Sequence, residues 1–400
     1  MRERKNKKQM KKTEERGITL IALVITIVIL IILATVTLNV VLGEGGLIDR
    51  AQLAKDMTEQ AVLEEQQGLN SLMSEMTNIM AEEQTPPEPP KVPETIEEAK
   101  PTPGEDGPKF ENTTTITDDL DNPVTIPGGF HIDKDSGTKV EEGIVIEDSN
   151  NNQFVWIPVG EYNVSTTISS TGKLINELTR RQWADENVVA EPTPVNGDDV
   201  IDTYYYGEGD SRSVAYGEID AFLESAKPVS EGGHGGFYIG RYEQGEGNVC
   251  KSGVNPYVYV RIDQAKEQAE AMYSGNTYVT SELISSYAWD TALNYICQTN
   301  EEGYLLATTT DSTYGNIGTS SKKQTGEYEA DNYSNIYDLL GNCMEWTTEY
   351  SSNLGNACVY RGGYYPYSDY YAAFRYDGGT SLSRDTHSFR LQLYINLESW

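Results

Sequence analysis

Hydrophobic and polar positions give the chain four successive textures. Ile18 to Leu42 is an almost unbroken apolar run without a charge. At about 1.5 Å per residue, a helix over it is long enough to cross a bilayer. Its length, and the lack of an Ala-x-Ala-like exit, argue against a cleaved secretory peptide. Gly43, Gly45 and Gly46 interrupt the run. From Leu47 to Met80 apolar residues return at mostly three-to-four spacing (Leu53, Met57, Ala61, Leu69, Leu72, Met76, Ile79), which predicts a projecting helix with a Glu- and Gln-rich polar face. That pattern suits a solvated stalk and a helix packed against copies of itself equally well. Glu82 to Lys109 carries eight prolines among many Glu and Lys. Proline this dense blocks helix and sheet and predicts an extended spacer.

From about Phe110 the texture becomes short runs of β-branched and aromatic residues broken by Gly, Asn and Asp, such as GIVIED, QFVWIPV, GGFYIGRYE and NPYVYVRI. Two helices are expected here, Asp263 to Tyr273 and Thr280 to Thr299, the second opening on a capping-like Thr-Ser-Glu. Residues 161 to 230 read as a polar, loop-rich insertion. The expected organisation is therefore α+β: a basic leader (1–17), a long membrane and projecting helix (18–81), a proline-rich linker (82–110), the first part of an ectodomain (111–230) and its core (231–400).

Charge sharpens the picture. The formal net charge is −32, yet the first sixteen residues hold eight Lys/Arg and three acids, which leaves 22 bases and 59 acids downstream. An acidic body repels a phosphate backbone, so nucleic acid is not an expected partner. The basic tip before the apolar run predicts an inside N-terminus and an outside body. Tyrosines number 27 against seven phenylalanines, an excess that suggests exposed aromatic contact surface, with Tyr decorating exposed strands as the plainer alternative. Four cysteines without a CxxC pair suit disulfides better than zinc. Cys343 with Cys358, which flank a short Trp346-containing segment, and then Cys250 with Cys297, are the expected bridges among three possible pairings; four buried thiols are the alternative.

Arg16-Gly17-Ile18-Thr19-Leu20-Ile21 after a basic leader resembles a type IV pilin-like leader. The resemblance implies cutting after Gly17 by a prepilin peptidase, methylation of Ile18, and other pilin-like subunits as partners. Filament-forming pilins usually carry Glu at the fifth mature position; here Ala22 stands there and offers no charge pair. A minor or stand-alone pilin-like protein fits better, and an uncut signal anchor is the plainer reading.

Farther on, Asn335-Ile336-Tyr337-Asp338-Leu339-Leu340-Gly341-Asn342-Cys343-Met344-Glu345-Trp346 resembles the N-x-x-D-x-x-GN-x-x-EW segment of the formylglycine-generating-enzyme/sulfatase-modifying-factor family. Tyr360-Arg361-Gly362-Gly363-Tyr364 is similar to its R-G-G-S-[WY] element, and Ser388-Phe389-Arg390 to its closing G-F-R. Gly236 to Glu243 is similar to an early strand of the family. The resemblance implies a C-type-lectin-like fold. The residues also make structural sense alone: Gly341, Gly362 and Gly363 allow tight turns, Asn342 and Glu345 can satisfy loop backbone, Trp346 is a core anchor, and Arg361 and Arg390 can pair with Glu345 or Asp338.

Catalytic relatives in that family hold copper(I) with two thiols just after R-G-G-S. Here those positions carry Tyr367 and Ala372. The three-histidine iron site of other relatives finds only His131, His234 and His387, far apart and expected as solvated loop residues. The expectation is no catalytic residue, no cofactor and no metal, with altered chemistry on the same scaffold, or a purely structural minor pilin, as the competing readings. Between R-G-G and S-F-R lies YYPYSDYYAAFRYDGGTSLSRDTH, paratope-like in composition. Its candidate contacts are Tyr364, Tyr365, Tyr367, Ser368, Asp369, Tyr370, Tyr371, Arg375, Tyr376 and Asp377. The segment also resembles the variable segment of retroelement-diversified proteins. Its expected partner is an unidentified surface ligand, protein or glycan, while residues 18–42 meet the membrane.

Overall fold

The computed structural model describes residues 20–44, 46–81, 92–102, 107–182, 193–194, 200–202, 220–351 and 358–397. Two compact units divide the chain, Met1–Lys91 and Val92–Trp400. In the first, Leu20–Leu42 is a helix apolar on all sides. It is long and apolar enough to span a membrane. The Thr26 hydroxyl donates back to the Ala22 carbonyl at 2.7 Å, so this polar group is satisfied within the helix. Gly43 and Gly46 carry a turn, and the helix resumes over Leu47–Ala81. Gly17 and Ile18, the expected processing pair, lie outside the described residues.

The second unit is α+β and rich in sheet. Its centre is a six-stranded antiparallel sheet in the order Val279–Leu283, Leu391–Ile395, Gly236–Gly240, Gln153–Pro158, Val145–Glu147, His131–Ile132. The middle strands are buried on both faces, which explains why GFYIG and QFVWIP read as apolar runs rather than as alternation. Helix Ser286–Thr299 is buried along most of its length. Trp156, Trp289 and Trp346 are fully buried, each worth about 2–3 kcal/mol of apolar burial. A second sheet aligns Val200–Asp202, Met344–Ser351, Cys358–Arg361 and Arg375–Gly378 antiparallel, with His387–Phe389 parallel to Met344–Ser351.

Several expectations are corrected. The stretch Thr280 to Thr299 is a strand, Val279–Leu283, followed by a helix that starts at Ser286. Ser285 supplies the cap, its hydroxyl accepting from the Ala288 amide at 3.2 Å; Thr280-Ser-Glu imitates a cap but sits in the sheet. The other helix, Ile262–Met272, falls where expected. NPYVYVRI is a loop that ends at the helix start Ile262, rather than a strand. The last part of the proline-rich linker belongs to the folded unit: Ile96 and Ala99 are buried, and Lys100 Nζ donates to the Ser136 carbonyl at 2.7 Å. Within residues 161 to 230 a hairpin, Gly160–Asn163 with Lys173–Asn176, and a helix over 220–226 are described.

All four cysteines are thiols rather than disulfides. The strand register shows why Cys343 and Cys358 do not meet. Cys358 lies opposite Tyr350, seven residues along from Cys343, or about 20 Å in an extended chain. Cys250 donates instead to the Gln153 carbonyl at 3.0 Å. Burial pushes the Cys250 thiol up to about 11, and Cys297 and Cys358 to about 12. The histidines are not solvated loop residues either. His234 and His387 are buried, and burial, with Arg384 nearby, takes His387 down to about 4. His131 sits on a strand beside Glu147, Nε2 to Oε1 3.5 Å.

Candidate functional site: a tyrosine loop on a charged frame

Strands Cys358–Arg361 and Arg375–Gly378 form a hairpin whose connecting loop is the tyrosine-rich segment. Gly362 and Gly363 start the loop at φ 91° and 74°. At Gly363 a Cβ would lie 2.9 Å from the Tyr370 Cβ, so the turn needs glycine for space as well as for backbone angle. The loop is pinned on all sides. Gly341 N donates to Gly362 O at 2.6 Å, Tyr365 N to Asn342 O at 3.1 Å, Thr319 N to Tyr365 O at 2.6 Å and Gly318 N to Tyr367 O at 3.0 Å. Inside, Trp289 Nε1 donates to Ala372 O at 3.0 Å, and Ala372 and Ala373 are buried.

Its rings interlock. Tyr364 stacks on Tyr370 at 5.6 Å and Tyr360 on Tyr376 at 5.4 Å, while Tyr367 tilts against Tyr364 and Phe374 fills between Tyr370 and Tyr371. Burial and the neighbouring hydroxyls push Tyr364 up to about 12. Tyr367 and Tyr376 remain 51% and 41% exposed, Ser368 and Asp369 are exposed, and Tyr364, Tyr365, Tyr370 and Tyr371 are half-buried. Asp377 continues the strand; its side chain lies outside the described residues.

Arg375, expected as a contact, belongs to the frame. Its Nε donates to Glu349 Oε1 at 2.6 Å and its Nη2 to Asp290 Oδ2, and only 21% of the side chain is exposed. Arg361 completes the group, Nη2 to Asp290 Oδ1 at 2.6 Å and Nη1 to Glu349 Oε2 at 3.4 Å, with its guanidinium carbon 5.5 Å from the centre of the Trp289 ring. Two arginines thus alternate with two carboxylates beneath the loop. Burial alone would raise the Asp290 carboxyl; Arg361 and Arg375 outweigh it and hold it below the ordinary range. Asp290 and Glu349 escaped the sequence reading because they lie on a distant helix and a neighbouring strand.

The Gly-Asn turn supports the loop from behind. Asn342, at φ 54°, accepts from Lys323 N at 2.7 Å and Asn316 Nδ2 at 2.9 Å and donates to Glu243 Oε1. Of the pairings open to Arg361 and Arg390, the one with Glu345 falls to Arg390, bidentate at 2.7 and 2.9 Å. Arg390 also donates to the Gly240 and Tyr337 carbonyls. Trp346 donates to Val260 O at 3.0 Å and packs edge-on against Tyr360; Phe389 is buried against Tyr257. Around Arg390 gather Glu243, Asp331 and Asp338. Burial and mutual repulsion push Glu243 and Asp331 well above the carboxylate range, and burial lifts Asp338 to about 6. Among the described residues no group of three or more His, Cys, Asp and Glu has metal-holding geometry.

No family model matches the sequence, and no curated protein matches it. Six solved chains are similar in structure. CarF shares 14% identity at a TM-score of 0.33, over 40% of this chain and 86% of that one. PvdO from Pseudomonas aeruginosa shares 12% at 0.37, over 62% and 97%. Treponema denticola variable protein 1 shares 13% at 0.31, over 60% and 95%. Likenesses at this level set neither a fold family nor a function, so the chain is characterised by its own site.

Proposed function

We propose that this is a membrane-anchored surface protein whose C-terminal domain is lectin-like and binds a ligand, protein or glycan, through the tyrosine loop without transforming it. In this reading the apolar helix crosses the membrane with the basic leader inside, the ectodomain faces out, and the leader is of the pilin-like kind. One observation carries the functional part. Exposed tyrosines sit on a loop whose backbone is bonded on every side and whose base is a charge-balanced frame, so the face is preorganised at little entropic cost on binding. The positions that carry thiols in the catalytic relatives hold Tyr367, turned outward, and Ala372, packed inward.

The test uses full-length protein in detergent, applied to an array of defined glycans and an array of purified extracellular proteins. Tyr367→Ser is expected to weaken the hits at least about tenfold while the melting temperature stays within about 2 °C. Binding unaffected by Tyr367→Ser and Tyr370→Ala overturns the assignment of the face. Mass spectrometry of the native N-terminus tests the leader: a methylated Ile18 is expected, and an intact Met1 reduces this unit to an anchor.

A further inference from the structure

One residue outside the tyrosine loop stands out on backbone grounds. Eight non-glycine residues among those described have positive φ, and seven are Asn, Asp or Ser, whose short polar side chains tolerate that region. The eighth is Tyr259, at φ 58°. A bulky aromatic in the left-handed region is an outlier, and such outliers persist only where the surroundings fix them. The surroundings do so here. Tyr257 N donates to Gln244 O at 2.7 Å, the Tyr257 ring packs on Phe389 at 5.8 Å, and Tyr259 N donates to Arg384 O at 2.9 Å. The strain is not repaid by burial, because the Tyr259 side chain is 66% exposed. Stability alone favours Gly or Asn at this position.

Tyr259 also lies beside the tyrosine loop. The Arg384 carbonyl that takes the Tyr259 amide also accepts from His387 N at 3.3 Å, and the His387 ring stands edge-on to Tyr360 at 4.7 Å, the ring on which Tyr376 stacks. The Arg384 side chain is exposed. The face therefore extends past the loop to Tyr259 and Arg384, drawn from two other stretches of chain.

Ring orientation bears on what this face fits. A sugar docks on an open ring face, through its C–H groups. Here Tyr364 covers Tyr370 and Tyr360 covers Tyr376, at interplanar angles of 26° and 21°. Each pair spends a ring face on its partner, and Tyr360 is itself buried, so fewer faces remain open to a sugar. Exposed tyrosines (Tyr259, Tyr367, Tyr376) beside an exposed arginine are the chemistry of protein hot spots.

Resting on the proposed binding function, we infer that Tyr259 and Arg384 complete a recognition face for a folded protein partner, and that Tyr259 is kept in its strained conformation for that contact.

The same two arrays, probed with full-length Tyr259→Gly, Arg384→Ala and Tyr367→Ser, test this. Tyr259→Gly is expected to leave the melting temperature equal or higher and to weaken hits on the protein array at least about tenfold, with Arg384→Ala weakening them severalfold. Hits confined to the glycan array, or protein hits lost with Tyr367→Ser but untouched by Tyr259→Gly, overturn this inference and leave the binding face standing. Hits indifferent to Tyr367→Ser as well overturn both. A fall in melting temperature in Tyr259→Gly would show that the ring stabilises the fold, and would overturn the reading of Tyr259 as a contact.

Discussion

The buried charges beneath the tyrosine loop and those behind the Gly-Asn turn are balanced differently. Beneath the tyrosine loop, Arg361 and Arg375 meet Asp290 and Glu349, two charges of each sign, nearly all buried. Behind the Gly-Asn turn, Arg390 faces Glu345, Glu243, Asp338 and Asp331 alone. The first group satisfies itself as ions. The second satisfies itself only when carboxyls hold protons, since buried oxygens of Glu243, Asp331 and Asp338 have no hydrogen-bond partner among the described residues. The difference separates two tasks within one domain. A self-neutralising frame keeps the loop in place across pH, while the acid-rich group makes the interior behind it pH-dependent.

Breaking the balanced frame is expected to have the largest effect. Arg361→Met leaves Asp290 and Glu349 facing Arg375 alone and should cost about 3–5 kcal/mol in urea unfolding. A loss below about 1 kcal/mol would mean that the frame does not hold the hairpin. The next effect is of pH. Asp338 titrates near 6 when folded and near its ordinary value when unfolded, so the folded state binds the extra proton between these values. The stability this contributes is complete below about pH 4 and is lost as pH rises through 6, a change of about 3 kcal/mol. Unfolding curves between pH 4 and 7 check the sign. Asp338→Asn should reduce that slope without abolishing it, because Glu243, Asp331 and Glu345 are also raised by burial, and Arg375→Lys should leave it unchanged. A smaller effect is expected from Asp331→Asn, which replaces a carboxyl with raised pKa by a neutral amide and should stabilise by about 1 kcal/mol near pH 7. Smallest of all is Tyr367→Ser, expected within about 0.5 kcal/mol of the parent because the ring is half in solvent.

The sequence was legible where a motif is local. The turn at Gly341-Asn342 and the Trp346 anchor could be read from residue types and spacing, while Arg390 was left open between Glu345 and Asp338. Partners far apart in sequence could not. Arg361 takes its carboxylates from Asp290 and Glu349, and composition alone made Arg375 look like a contact when those same acids bury it. Thr280-Ser-Glu has the letters of a cap, yet its place beside Leu391–Ile395 makes it a strand. The cysteine pairing failed because strand register, invisible in the spacing, sets Cys343 and Cys358 apart. The histidines read as solvated for want of any signal of the aromatic pocket around His387. Tyr259 had none either, since φ is set by the loop that holds it.

The most direct test of the central claim randomises Tyr364, Tyr365, Tyr367, Ser368, Asp369 and Tyr370 together in the full-length chain. Each variant is then read for melting temperature and for its profile on the two arrays. If the face recognises and the frame beneath it holds the fold, profiles will differ from variant to variant while most melting temperatures stay within about 5 °C of the parent. Profiles that do not change, or that fade only as the melting temperature falls, would contradict it.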